Sequence, residues 1–202
     1  MRKISRDNLP HLIWCLNRSL RANIDSFIVR LIACWWGVSL GKKCVFRGLP
    51  IIRRLPGSQI IIGDGCIFSS ASDANQGGIS RPCILWTLGE SAQILIGSGC
   101  GFSGTVINAQ CEIRLGQGVR CGTNTQIMDS DMHTDDKRVS GAEPVMIQDG
   151  VWLGMNSVVL KGVTIGKGTL VSANSLVNKS LPANVLAAGI PARVIRDFMP
   201  AD

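Results

Sequence analysis

Of the two histidines in this 202-residue chain, only His133 has neighbours suited to chemistry. It ends the stretch D-S-D-M-H, residues 129–133, with Asp129 and Asp131 beside it in a polar segment. An imidazole titrates near neutrality, and a carboxylate partner can fix its tautomer and stabilise its charged form. A group so poised can accept a proton from an attacking hydroxyl and return it to a leaving group. His11 lies in an apolar leader and reads as a solvated or interfacial side chain. The eight cysteines include no C-x-x-C pair and no metal-ligand spacing, so no metal is expected. They read as free thiols in a reducing cytoplasm, with Cys66 and Cys100 each following an I-G-x-G and facing inward.

The element that must position His133 is a repeat. Across residues 147–177 an aliphatic side chain returns at every sixth place: Ile147, Leu153, Val159, Ile165, Val171 and Val177. The fifth places hold Val151, Ser157, Val163, Thr169 and Ser175, all small or β-branched. A period of six fits neither a helix nor an isolated alternating strand. It predicts an all-β solenoid in which three short strands complete a coil of about eighteen residues. The tetrad aliphatic-Gly-x-Gly recurs at Ile62, Ile96, Leu115 and Ile165, with I-Q-D-G at Ile147 as a variant. Two of the intervals are too long for one plain coil: 62–96 fits a coil with a long excursion or two imperfect coils, 115–147 a coil with about fourteen extra residues, and the loops fall near 69–82 and 129–145. Solenoids gather such insertions on a binding face, and the second one carries His133.

Residues 9–38 read as a helix. Leu12, Cys15, Leu16, Leu20, Ile24, Phe27, Ile28, Leu31 and Ile32 recur at steps of three and four, with Arg18, Arg21 and Asn23 between them. Laid across the end of the coil, that stripe would cap its open edge; the alternative is a basic amphipathic helix resting on an anionic membrane. Residues 1–40 are therefore read as a helical cap and 41–202 as the repeat domain. Residues 1–54 carry eleven Lys/Arg against Asp7 and Asp25, a net +9, whereas the other 148 residues carry ten against twelve, a net −2. This local basic charge comes without a nucleic-acid-binding motif, so no nucleic-acid partner is expected. No secretory signal opens the chain, and the apolar run Phe27–Leu40 is broken by Arg30 and too short to span a bilayer. A cytoplasmic protein is expected, with the inner membrane face as a place of peripheral contact.

Three stretches, V-W-L-G-M-N (151–156), V-L-K-G-V-T-I-G-K-G (159–168) and A-A-G-I-P-A-R-V-I-R (187–196), join the repeat and the His-bearing loop in a resemblance. Together they resemble the hexapeptide-repeat O-acetyltransferases, which include galactoside, maltose and nodulation-factor enzymes and the xenobiotic acetyltransferases. G-L-P-I-I-R-R-L-P-G-S-Q-I-I-I-G (48–63), P-C-I-L (82–85) and I-M-D-S-D-M-H (127–133) bring it nearest to sugar and surface-polysaccharide O-acetyltransferases. The resemblance covers about residues 40–197. It implies a left-handed parallel β-helix with a short helix near Val194–Asp197, assembled as a homotrimer with active sites between subunits. It also implies acetyl-CoA as donor and a sugar or polysaccharide precursor as acceptor.

On that resemblance His133 is the general base for a sugar hydroxyl attacking the thioester. Asp131 and Asp129 compete to orient it; Asp131 could instead face solvent, and Asp129 could instead touch the sugar. Asn124 is a candidate for an acceptor hydrogen bond, or else part of an Asn turn ladder. Gly154 and Ala173 match positions where small residues admit the pantetheine arm, beside Trp152, which packs on the arm or fills the core. Lys179, Arg193 and Arg196 match the CoA phosphate positions, or form a solvated basic rim. Met155 and Asn178 stand where the galactoside enzymes carry Ser and Thr, so contacts to the arm differ in detail. A γ-class carbonic anhydrase would need three His ligands. A nucleotidyltransferase would need a further domain, and serine acetyltransferase a longer helical leader. A non-catalytic scaffold would need neither the His–Asp loop nor the cations.

Overall fold

A computed structural model describes residues 6–133 and 136–197. After helix α1 (Leu9–Trp35) the chain visits three sheets in turn, and each of the first fifteen strands pairs with the one three further on. The first face runs β1 (Ser39–Leu40), β4 (Gln59–Ile62), β7 (Gln93–Ile96), β10 (Glu112–Leu115), β13 (Val145–Ile147) and β16 (Thr164–Ile165). The second runs β2 (Val45–Arg47), β5 (Ile67–Ser69), β8 (Gly101–Ser103), β11 (Arg120–Cys121), β14 (Trp152–Leu153), β17 (Leu170–Val171), β19 (Val185–Gly189) and β20 (Ala192–Asp197). The third runs β3 (Ile51–Arg53), β6 (Ile84–Thr87), β9 (Val106–Ala109), β12 (Gln126–Met128), β15 (Val158–Val159) and β18 (Leu176–Val177). The pairings are parallel except β19 with β20.

The period of six is the inward-facing set. Ile147 pairs with Ile165, Leu153 with Val171 and Val159 with Val177, and all six are buried. The fifth-place residues Val151, Ser157, Val163, Thr169 and Ser175 are buried at the corners, where only small or β-branched side chains fit between stacked turns. Both long intervals are single coils with excursions, since Ile62 pairs with Ile96 and Leu115 with Ile147. Phe46, Phe68 and Phe102 stack at centroid spacings of 5.0 and 4.7 Å inside the second face. Each fully buried side chain of this size contributes about 1.5–3 kcal/mol. Cys44, Cys66 and Cys100 are buried free thiols at one corner. Their sulfurs lie 3.1–3.3 Å from the carbonyls of Gly63, Gly97 and Gly116.

Helix α1 lies on β1 and β2, but by the face opposite to the expected stripe. Its buried residues are Val29 and Ala33. Ser26 Oγ accepts the Phe46 N–H at 2.9 Å and Asp25 accepts the Gly48 N–H at 2.8 Å, which satisfies donors at the open edge of β2. Leu9, Ile13, Leu16, Leu20, Ile24, Phe27, Leu31 and Trp35 point away from the coil, with exposures from 44% at Leu9 to 86% at Trp35. Small residues pack closer to the strands than Leu or Phe would, so the apolar stripe is left outside. A second correction concerns the other end. Ala192–Asp197 is a strand antiparallel to Val185–Gly189, where a short helix was expected, and its pairing covers the last exposed edge of the second face.

Candidate functional site

His133 is exposed and leaves the end of β12 in the second insertion; its carbonyl accepts the Asp136 N–H at 3.1 Å. Among the described residues neither neighbouring carboxylate is bonded to its ring. Asp129 is 0% exposed and accepts the backbone N–H groups of Gln110 at 2.6 Å and Cys111 at 2.8 Å. It therefore holds the turn between β9 and β10 and has no oxygen left open to a sugar. Burial, and then the Asp129 carboxylate, push the Cys111 thiol up to about 11. Asp131 is ion-paired with Lys161, whose ammonium also donates to the Ser140 carbonyl at 3.0 Å. Lys161 thus ties both ends of the insertion to the next coil. The sequence reading missed it because the contact spans thirty residues of chain.

Asn124 adopts the left-handed region at φ 61°, as do Asn156 and Asn174 in successive coils, with Asn156 Nδ2 donating to Asn174 Oδ1 at 3.1 Å. It is a ladder member whose side chain also turns to the first insertion. Its Oδ1 accepts from Ser80 N at 3.1 Å and Ser80 Oγ at 3.0 Å, and its Nδ2 donates to the Gly78 carbonyl at 3.2 Å. Asn75 Nδ2 donates to Ser103 Oγ at 2.8 Å. Residues 69–82 are thereby held against the second face of the coil.

Under that loop runs a groove of about 600 Å³ that brings Trp152, Gly154 and Ala173 together with Arg120, Met155 and Asn75. Trp152 is 51% exposed on the outer side of β14, between Arg120 and Leu170, so it is a groove wall and not a core filler. Gly154 is required by the coil itself: a Cβ there would stand 2.4 Å from the Ala173 backbone nitrogen. Register carries the row of Trp152 and Leu170 on to Leu186 and then to Arg196 on β20. Arg193, also exposed on β20, faces Ala188 and donates to the Ala192 carbonyl at 2.8 Å. Lys179 is elsewhere. It sits one coil beyond Lys161 at the far edge of the third face and is not among the groove's lining residues. The His133 loop leaves that same far edge, so β12 and its neighbours separate the imidazole from the groove within one protomer.

Residues 144–179 match the family model described as bacterial transferase hexapeptide (six repeats). The galactoside O-acetyltransferase of Escherichia coli (strain K12) is 46% identical over 126 residues, 60% of this chain and 62% of that one. The galactoside O-acetyltransferase of Lactococcus lactis subsp. lactis (strain IL1403) is 34% identical over 146 residues, 70% of this chain and 64% of that one. The chain spans less than two thirds of the length of either relative. Among solved structures, a mutant of AntD, an N-acyltransferase from Bacillus cereus in complex with dTDP-4-amino-4,6-dideoxyglucose and coenzyme A, aligns with a TM-score of 0.59. That alignment has 20% identity and covers 80% of this chain and 84% of the other, a likeness of fold. Residues 144–179 thus carry hexapeptide repeats of the bacterial transferase type, and the chain is similar to galactoside O-acetyltransferases over up to 70% of its length.

Proposed function

We propose that this chain is an acetyl-CoA-dependent O-acetyltransferase that acts on a sugar hydroxyl in surface-polysaccharide biosynthesis. The observation that carries this reading is the groove in which Trp152, Gly154 and Ala173 meet, against the hexapeptide stretch shared with the family. The indole gives a flat apolar wall for a pantetheine arm, and Arg193 and Arg196 stand further along the same face for phosphates. His133 accepts the proton of the sugar hydroxyl as its oxygen attacks the thioester carbonyl, then returns it to the departing sulfur. Such general base catalysis contributes about 10²–10⁴ in rate. Backbone N–H groups of the coil stabilise the oxyanion, and no metal is needed. Asp129 and Asp131 serve by shaping the loop that carries His133.

The active unit in this reading is a homotrimer of left-handed coils, with residues 1–40 as the cap and 41–202 as the acyltransferase domain. Because groove and imidazole occupy opposite edges of the third face, a neighbouring copy has to bring them together. The outer row Ile51, Ile84, Val106, Gln126, Val158 and Leu176 on that face, apolar except for Gln126, with half-exposed Trp86, offers a contact for it. The enzyme works in the cytoplasm beside the inner membrane face, and the outward apolar stripe of α1 supports that location. No helix of the described residues is long and apolar enough to cross a membrane.

Calorimetric titration of acetyl-CoA into the purified protein tests the donor half. Micromolar to sub-millimolar binding is expected, weakened by Trp152→Ala and by the pair Lys179→Ala/Arg193→Ala. Absence of binding at millimolar donor, by a protein that light scattering reports as a trimer, would return the chain to a non-catalytic scaffold. For the base, His133→Asn should keep trimer and donor affinity and lose transfer by about 10²–10⁴.

A further inference from the structure

The groove does not stop at Trp152. Asn75, Arg120 and Cys121 line both it and a second groove of about 620 Å³ that continues along the outer side of the second face to α1. Arg18, Arg47 and Arg120 line this second stretch, with Trp14 of α1 as its far wall. Arg47 is half-buried, and burial together with the neighbouring Arg18 charge holds its guanidinium below the ordinary arginine range. Among the described residues neither Arg47 nor Arg120 makes a side-chain hydrogen bond or ion pair. Arg18 lies over the Trp14 ring at 5.0 Å and makes one long bond, 3.4 Å, to the Ala74 carbonyl. The acids nearby are engaged elsewhere. Asp73, which lines the groove, lies 3.6 Å from the Arg21 guanidinium, and Asp25 accepts the Gly48 N–H.

We propose that this stretch binds the negatively charged part of the acceptor, a phosphate or carboxylate carried by the sugar. The inference rests on the acetyltransferase reading only for the ligand being the acceptor; the anion site stands on the groove itself. Two like charges held side by side, both half-buried, repel each other, and Arg47 lacks the partner that a buried cation normally finds. An anion between them removes the repulsion and receives forked N–H donors from both guanidinium groups. Arg120 stands where the two grooves join, so it would hold the acceptor's charge next to the donor's end of the channel. The loop 69–82, tied down by Asn124, forms the roof over the sugar.

The test is equilibrium binding to the full chain by calorimetry, with glucose 1-phosphate, glucuronate and glucose as probes, each with and without saturating acetyl-CoA. At least one of the two anions should bind at least tenfold more tightly than glucose. Arg47→Gln, outside the donor groove, should weaken it at least tenfold while acetyl-CoA affinity is unchanged, and Arg120→Gln should weaken it at least tenfold as well. Preference for glucose 1-phosphate identifies a sugar phosphate, and preference for glucuronate a uronic acid. Anions that bind no better than glucose, or equally well to both variants, overturn the proposal. So does displacement by acetyl-CoA, which would make the basic stretch part of the donor site. Anion binding that persists in a protein that does not bind acetyl-CoA would remove the acetyltransferase reading and leave the anion site standing.

Discussion

Lys161, one coil beyond Gln126–Met128, binds the carboxylate of Asp131 and the carbonyl of Ser140 with the same ammonium group. Between those two anchors lies the segment that carries His133. An insertion this long loses considerable conformational freedom when ordered, so its fixed points decide how well the imidazole is aimed. Asp129 supplies a second anchor beneath, and the Glu143 N–H donates to the Asp129 carbonyl at 2.9 Å to close the base of the loop.

Replacing Lys161 by Met should therefore act on the loop more than on the fold. The Asp131 side chain is still 45% exposed, and a single ion pair open to solvent on one side contributes about 1 kcal/mol, so the melting temperature should change little. Trypsin should cut faster at Lys137 and Arg138, both exposed in the insertion. Acetyl transfer should fall while acetyl-CoA affinity stays constant. Asp131→Asn should reproduce both effects. An unchanged digestion pattern in both variants would show that the pair does not fix the loop.

Asp129 should behave differently. Its two oxygens satisfy two backbone donors at a fully buried position, and an Asn there can serve only one of them. A buried donor left without a partner costs about 1–3 kcal/mol. For a chain of this size that corresponds to a fall in Tm of roughly 2–4 °C per kcal/mol. Asp129→Asn should thus lose stability first, measured by denaturant or thermal unfolding. A variant with native Tm but a raised KM for the sugar would return Asp129 to substrate contact.

Thiol labelling reads the coil interior. Cys15 and Cys34 are exposed on α1, whereas Cys44, Cys66, Cys83, Cys100 and Cys121 are buried. Iodoacetamide on the native protein at about pH 8 should modify the two helix thiols alone, because only an accessible thiolate reacts. Cys111 is half-buried with its thiol raised to about 11. A raised pKa keeps the neutral form at pH 8, so Cys111 labelling should appear only as pH climbs toward that value. Mass spectrometry at successive pH values measures it; early modification of Cys66 or Cys100 would mean that the coil opens.

The coil was legible because its chemistry is local and repeated. Ile147 to Val177 face one narrow interior, and each inward place meets the same demand one coil later. Trp152, Gly154 and Ala173 converge for the same reason, since register along the second and third faces fixes where they fall. What the sequence left hidden depends on contacts distant along the chain. Lys161 meets Asp131, and Arg18 meets Arg47, only after strands and loops are folded. Apolar periodicity in residues 9–35 marks a face but not what covers it, and the coil takes Val29 and Ala33 instead of Leu16 and Phe27.

That uncovered face leads to the last prediction. Leu9, Ile13, Leu16, Leu20, Ile24, Phe27, Leu31 and Trp35 form one outward row along α1. At 100° per residue Arg21 and Arg30 fall on its two borders. Burial of each such side chain in a lipid interface is worth up to about 1.5–3 kcal/mol, and basic borders suit anionic headgroups. Pairing the same faces of two copies would set arginine against arginine. The protein should therefore co-sediment with anionic phospholipid vesicles, less with zwitterionic ones, and less as salt rises. Leu16→Asp/Phe27→Asp should abolish this while leaving Tm and acetyl-CoA affinity unchanged, because neither side chain packs on the coil. Equal sedimentation of the variant, or a wild-type protein that stays in the supernatant with anionic vesicles, would assign the row to a protein contact instead.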